Sequence, residues 1–213
     1  MAQGLVILGT YLLAEEIFDL VGDIPGCEVA AFIENFDRAR CGTQLEGRPI
    51  VWIDDAGAYA KNHLALCALS TTRRRAYCQQ AAAAGFRFAT LVHPTARVSP
   101  RARLGEGTFI SALAAVATRT TLGRCVFVNR GALIGHHTAI GDYCTIQPGA
   151  NVAGAITMGE QTYVGMGAVV LERRKIGAGC VIAAGALVVD DMPDHVQVMG
   201  VPARVTKTAI EVK

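Results

Sequence analysis

Residues 122–146 read LGRCVFVNRGALIGHHTAIGDYCTI, with an aliphatic at Leu122, Val128, Ile134, Ile140 and Ile146. The same spacing continues unbroken through Val92, Val98, Leu104, Ile110 and Val116 on one side. On the other it runs through Val152, Met158, Val164, Val170, Ile176, Ile182 and Val188. An amphipathic helix repeats its apolar face every ~3.6 residues and a half-buried strand every second residue. A period of six therefore needs a corner once per hexapeptide, which makes this half of the chain a solenoid of parallel strands.

A slower period lies over the first. Gly105, Gly123, Gly141, Gly159 and Gly177 each follow one of the aliphatics directly and are spaced by 18, so three hexapeptides make one coil. Glycine serves such a corner either by taking a positive φ or by leaving no side chain in the way. Four places beyond most aliphatics stands a small residue, among them Thr108, Ala114, Thr120, Ala132, Thr138 and Cys144. These fit a narrow prism. Ile156 and Arg174 break the rule, so a local bulge is expected, at the charged corner of residues 172–175. Because no single coil can bury its own apolar face, stability has to come from stacking.

The chain has 213 residues, is 52% hydrophobic and carries a formal net charge of +2. That composition supports a large core and lacks the basic footprint of a nucleic-acid binder. The cluster Arg73-Arg74-Arg75 reads as a solvated helix start. The first ten residues show no secretory leader and no run is long and apolar enough to span a membrane, so a cytoplasmic protein with no membrane partner is expected. Seven cysteines, an odd number with no CxxC pair, indicate neither a disulfide framework nor a zinc site.

Upstream of the solenoid, apolar strands at residues 5–9, 29–33, 50–52 and 64–69 alternate with helical patterns, the last of them capped by Ser70 or Thr71 and closed by Gly85. This predicts a small Rossmann-like α/β unit whose binding edge lies at the strand carboxyl ends. Gly9-Thr10-Tyr11-Leu12 retains only the first glycine of the dinucleotide fingerprint, so NAD is not expected. Glu34, at the end of the second strand, stands where an acidic residue reaches a ribose or is simply solvated. The expected organisation is residues 1–90 as the α/β unit, 91–205 as the β-helix and 206–213 as a tail. The register from Val92 needs nothing upstream, so the β-helix is expected to fold alone.

His136 and His137 fall two and three places beyond the inward Ile134, at a corner and outside the prism. An imidazole, with an unperturbed pKa of ~6.5, can take a proton from an attacking amine or hydroxyl at neutral pH. From the pattern alone, an exposed corner pair without chemistry is an equal reading.

The hexapeptide pattern resembles the hexapeptide-repeat proteins, which implies a left-handed parallel β-helix. Together with the α/β unit, residues 91–96, 134–143 and 148–154, and Gly200-Val201-Pro202-Ala203-Arg204, it resembles the NeuD/PglD-type sugar acyltransferases. The resemblance implies a homotrimer with acetyl-CoA in the groove between neighbouring β-helices and a nucleotide-sugar on the first domain. It makes His136 the general base with His137 beside it, in the place where the family often has Asp or Glu. It places acetyl-CoA contacts at Thr145, Met166 and Ala184, and acceptor contacts at Gly9, Thr10, Tyr11, Leu12, Glu34, Asn35 and Ser70. Surface-polysaccharide synthesis is the implied setting, and no metal is called for. Leu13 and Glu34-Asn35 depart from the family's usual Gly-x-Gly-Gly-His loop and paired aspartates, on the acceptor side. Two other functions fit the scaffold: a non-catalytic sugar-nucleotide module, and a zinc carbonic anhydrase, which would need three well-separated histidines.

Overall fold

The computed structural model describes Gln3 to Glu211, so residues 212 and 213 of the expected tail, like residues 1 and 2, lie outside the described residues. The first part runs β1 (Gln3–Leu8), α1 (Leu12–Gly22), β2 (Cys27–Glu34), β3 (Gln44–Leu45), β4 (Arg48–Trp52), α2 (Gly57–Asn62), β5 (Leu64–Cys67), α3 (Arg74–Ala83) and β6 (Arg87–Phe88). The sheet order is β3-β4-β2-β1-β5-β6, parallel except for the β3–β4 hairpin. Leu5 to Leu8 and Ala31 to Ile33 are wholly buried, as continuous apolar runs must be in a sheet covered on both faces. β1, β2 and β5 end side by side, because Leu8 pairs with both Ile33 and Cys67. The loops after these three strands therefore share one edge.

α3 differs from expectation at its start. Neither Ser70 nor Thr71 caps it; the helix begins at Arg74, and Arg73, already helical in backbone, supplies no side-chain cap. A turn through Thr71 and Thr72 intervenes, carried by the Arg74 N–H to Thr71 carbonyl hydrogen bond.

From Leu91 the chain coils around three parallel sheets. The first face holds Leu91–Val92, Phe109–Ile110, Phe127–Val128, Thr145–Ile146, Tyr163–Val164 and Val181–Ile182. The second runs from Arg97–Val98 to Leu187–Val188 and the third from Arg103–Leu104 to Lys175–Ile176. In each two-residue strand the second side chain enters the prism, where the aliphatics form one continuous core. Strands Gln197–Met199 and Arg204–Lys207 close the top of the first face, the latter running into the expected tail.

The corner glycines serve close approach rather than positive φ. A Cβ at Gly141 would lie 2.6 Å from the Glu160 nitrogen, and one at Gly159 2.5 Å from that of Ala178. The left-handed residue is instead the third beyond most of the aliphatics, as at Arg119, His137, Tyr143 and Arg173. Inside the prism, Thr108, Thr120 and Thr162 donate to the carbonyls of Gly123, Gly135 and Gly177, so the small slots also hold hydrogen bonds between coils.

The bulge expected at residues 172–175 is not there. Lys175–Ile176 pairs in register with Thr157–Met158, and Arg173 takes the same left-handed corner as its counterparts. Arg174 fits because the last turn is two residues shorter: Ile176 bridges Met192, 16 residues on, and the Arg174 guanidinium comes within 3.9 Å of Asp191.

The α/β unit packs on the first face. Phe109 and Phe127 stack there with ring centroids 5.7 Å apart and share a core with Leu5, Ile7 and Phe32. Cys125 and Tyr143 join a second core with Val6, Tyr77 and Phe88. Removing residues 1–90 would therefore bare two phenylalanines of the β-helix's first face. The arginine triplet is also corrected. Arg74 is 1% exposed and donates to the carbonyls of Leu69 (2.6 Å) and Cys144 (2.6 Å) and to the Thr145 hydroxyl. Burial pushes its pKa down, and among the described residues no carboxylate pairs with it. Carbonyl dipoles hold the charge instead.

Among the described residues no helix is long and apolar enough to cross a membrane.

Candidate functional site

His136 and His137 occupy the corner between the second and third faces. The corner is built by the coil itself: the His137 N–H donates to the Thr118 carbonyl below (3.0 Å), and the His136 carbonyl accepts from Ala155 above (2.8 Å). The His136 ring lies against Gly154, where a Cβ would meet its Cε1 at 2.9 Å. Both rings are exposed, edge to face, with Nδ1 to Nδ1 at 3.1 Å. One Nδ1 must therefore donate and the other accept. If His136 donates, its Nε2 carries a free lone pair and can take a proton, and the resulting imidazolium keeps its bond to His137. Beside the pair, on the second face, runs a shallow groove of about 370 Å³ walled by Ala115, Leu133, Gly135 and Ala153.

A second cleft, about 290 Å³, opens at the edge where β1, β2 and β5 end, and Gly9, Tyr11, Glu34 and Asn35 line it. Thr10 is buried beneath and donates to Glu34. Leu12 is 83% exposed and lies outside the lining, as does Ser70, whose carbonyl accepts from Gln147 of the β-helix at 3.2 Å. Glu34 is buried rather than solvated, and its carboxylate accepts hydrogen bonds from its own loop while bordering the cleft. Burial alone would raise its pKa, but the Thr10 hydroxyl and the N–H groups of Phe36, Asp37 and Asn35 outweigh burial and hold it below the usual carboxylate range. Its carboxylate shapes the loop. A lowered folded pKa means stability present above the unfolded value of ~4.3 and lost as pH falls through the folded value. Glu34→Gln is accordingly expected to cost ~1–3 kcal/mol at neutral pH and to flatten the acid limb of thermal stability, measured by unfolding scans across pH.

Sequence reasoning missed three parts of this cleft: Phe36, 86% exposed at the mouth, Arg73, and Tyr77, whose hydroxyl donates to the Ile33 carbonyl. Arg74 could have been found. It precedes the buried Tyr77, Cys78 and Ala81 by three, four and seven residues, which puts it on the apolar stripe of α3.

The expected acetyl-CoA contacts separate. Met166, 58% exposed, and Ala184 stack at the corner between the first and second faces, with the Gly185 N–H bonded to the Met166 carbonyl. Thr145 is fully buried under the α/β unit against Arg74. The histidine corner lies opposite the first face, which the α/β unit covers, so one chain does not bring the histidines and the upstream cleft together. Among the described residues no three His, Cys, Asp or Glu side chains are grouped to hold a metal.

Neither a protein-family model nor a curated protein matches the chain. Solved structures do. PerB from Caulobacter crescentus, in complex with CoA and GDP-perosamine, is 30% identical with a TM-score of 0.87, over 97% of this chain and 99% of its own. The chain belongs to the hexapeptide-repeat sugar acyltransferases. The acetyltransferase domain of PglB from Neisseria gonorrhoeae, in complex with acetyl coenzyme A, is 28% identical with a TM-score of 0.86, over 96% of this chain and all (100%) of that one. WeeI from Acinetobacter baumannii shares the fold at 24% identity, with a TM-score of 0.85 over 96% of this chain and 100% of its own. These similarities cover both parts of this acyltransferase.

Proposed function

We propose that this acyltransferase moves an acetyl group from acetyl-CoA to an amino or hydroxyl group of a nucleotide-linked sugar by direct attack in a ternary complex, with His136 as general base. The observation that carries the reading is the His136–His137 pair, set at a coil corner beside an open groove, in a chain similar end to end to a CoA- and GDP-perosamine-bound enzyme. The acceptor nitrogen or oxygen bonds to the thioester carbonyl carbon while its proton passes to His136 Nε2. The tetrahedral oxyanion collapses, the carbon–sulfur bond breaks, and the leaving thiolate takes the proton from His136. In this reading the Gly154 backbone N–H, beside the His136 ring, donates to that oxyanion.

Residues 1–90 act in this reading as a Rossmann-like nucleotide-sugar unit. The base stacks on Phe36 and the phosphates lie toward Arg73. Residues 91–205 are a left-handed β-helix that holds acetyl-CoA near Met166 and Ala184, and residues 206–213 are a tail. Thr145 contributes indirectly, by anchoring Arg74. The site is completed by a neighbouring chain in a homotrimer. Leu113, Leu133, Met166 and Leu171, 38–70% exposed on the second face and its edges, support that packing. A cytoplasmic location and a place in surface-polysaccharide synthesis follow from these substrates.

The test is thiol release from acetyl-CoA with a panel of nucleotide-linked amino sugars, GDP-perosamine first, with the product read by mass spectrometry. Acetylated product is expected; no product with any acceptor, together with no acetyl-CoA binding by calorimetry, sinks the reading. Sedimentation is expected to give three 22.4 kDa chains, and a lone 22.4 kDa species at working concentration would contradict the shared site.

A further inference from the structure

The coil directly below the histidine pair carries unspent positive charge. Arg119 takes, one turn down, the corner place that His137 takes above it, at φ +57 against +58. Arg101 stands 18 residues earlier still, in the next turn down. Successive coils are one strand spacing apart, ~4.8 Å, so a molecule touching His137 also reaches Arg119. Arg101, Arg103 and Arg119 line a cleft of about 520 Å³, with Pro100, Ala102 and Thr121 and no acidic residue.

Elsewhere on the β-helix four arginines are neutralised: Arg124 by Glu106, Arg130 by Glu16, Arg174 by Asp191 and Arg204 by Asp190. Among the described residues the side chains of Arg101, Arg103 and Arg119 have no ion pair and no hydrogen bond. Three guanidinium groups converging on one cleft without a carboxylate suit a phosphoryl group, which takes paired N–H donors from each fork. Both substrates of the proposed reaction carry phosphates.

We propose that Arg101, Arg103 and Arg119 form a phosphate-binding cleft contiguous with His136 and His137, holding a phosphoryl group of one of the two substrates. The role assigned to the phosphate rests on the acetyl-transfer reading; the binding itself does not.

The experiment titrates the full chain with inorganic pyrophosphate by calorimetry, with and without saturating acetyl-CoA. The double variant Arg101→Gln/Arg119→Gln is expected to bind pyrophosphate at least tenfold more weakly at an unchanged melting temperature, since both side chains are exposed. Lysine at both positions should recover part of the loss, as a charge without the fork. Pyrophosphate binding that persists beside acetyl-CoA assigns the cleft to the acceptor's phosphates, and competition assigns it to those of the cosubstrate; either supports the cleft. Equal affinity in the wild type and the glutamine variant overturns it. A wild type that binds pyrophosphate through these arginines but not acetyl-CoA would leave the cleft standing and remove the acetyl-transfer reading.

Discussion

His136→Ala is expected to lower kcat by roughly 10² to 10⁴ while leaving acetyl-CoA affinity nearly unchanged, because the base acts on the acceptor's proton and other coils hold the cosubstrate. Steady-state rates with calorimetry of acetyl-CoA binding check both halves. His137→Ala should cost less. In the tautomer that leaves His136 Nε2 free, it removes only the acceptor for His136 Nδ1–H, 3.1 Å away, and so frees the ring to turn. A larger loss at His137 than at His136 would reverse the assignment. His137→Asp adds a sharper test, since the left-handed backbone at φ +58 tolerates aspartate. A carboxylate beside His136 favours its protonated form. The acidic limb of the kcat/KM profile should therefore move to higher pH than in the wild type.

Arg74→Ala is expected to cost about 3–5 kcal/mol. It empties a buried site and orphans the Leu69 and Cys144 carbonyls and the Thr145 hydroxyl at once. For a chain of this length that corresponds to a fall in melting temperature on the order of 10 °C. Arg74→Met refills the volume without donating, so it should recover the cavity part and not the hydrogen-bond part. A melting temperature within a degree or so of wild type for both would mean that the seam is held by Phe109 and Phe127 alone.

The β-helix was legible because its geometry repeats: each inward slot imposes the same size limit on Ile134, Val152 and Val170, and each corner the same close approach at Gly141 and Gly159. The strands β1, β2, β4 and β5 were legible as apolar runs. The two-residue strands β3 and β6 were not, because two residues carry no period and form only by pairing with β4 and β5. Arg74 was misread because a charge is assigned to solvent by default, whereas here the carbonyl ends of a foreign coil solvate it. At the site, the histidines stood out by their place in the repeat, while Phe36 and Arg73 did not, since the cleft they border exists only once three loops meet. Glu34 was weighed as ribose ligand or solvated group; that it is buried and takes four hydrogen bonds from its own fold shows only once the loop after β2 is in place.

The central claim is that His136 of one chain serves the acceptor cleft of another, since a single chain holds them on opposite sides of its prism. Mixing two inactive variants tests this most directly: His136→Ala, and Phe36→Asp/Arg73→Glu at the exposed mouth of the cleft, dissociated and reassembled together. Random assembly pairs an intact histidine with an intact cleft in roughly a quarter of sites, so about that fraction of wild-type activity should return. If the mixed oligomers stay as inactive as either parent while wild type put through the same reassembly recovers, the site lies within one chain and the account is wrong.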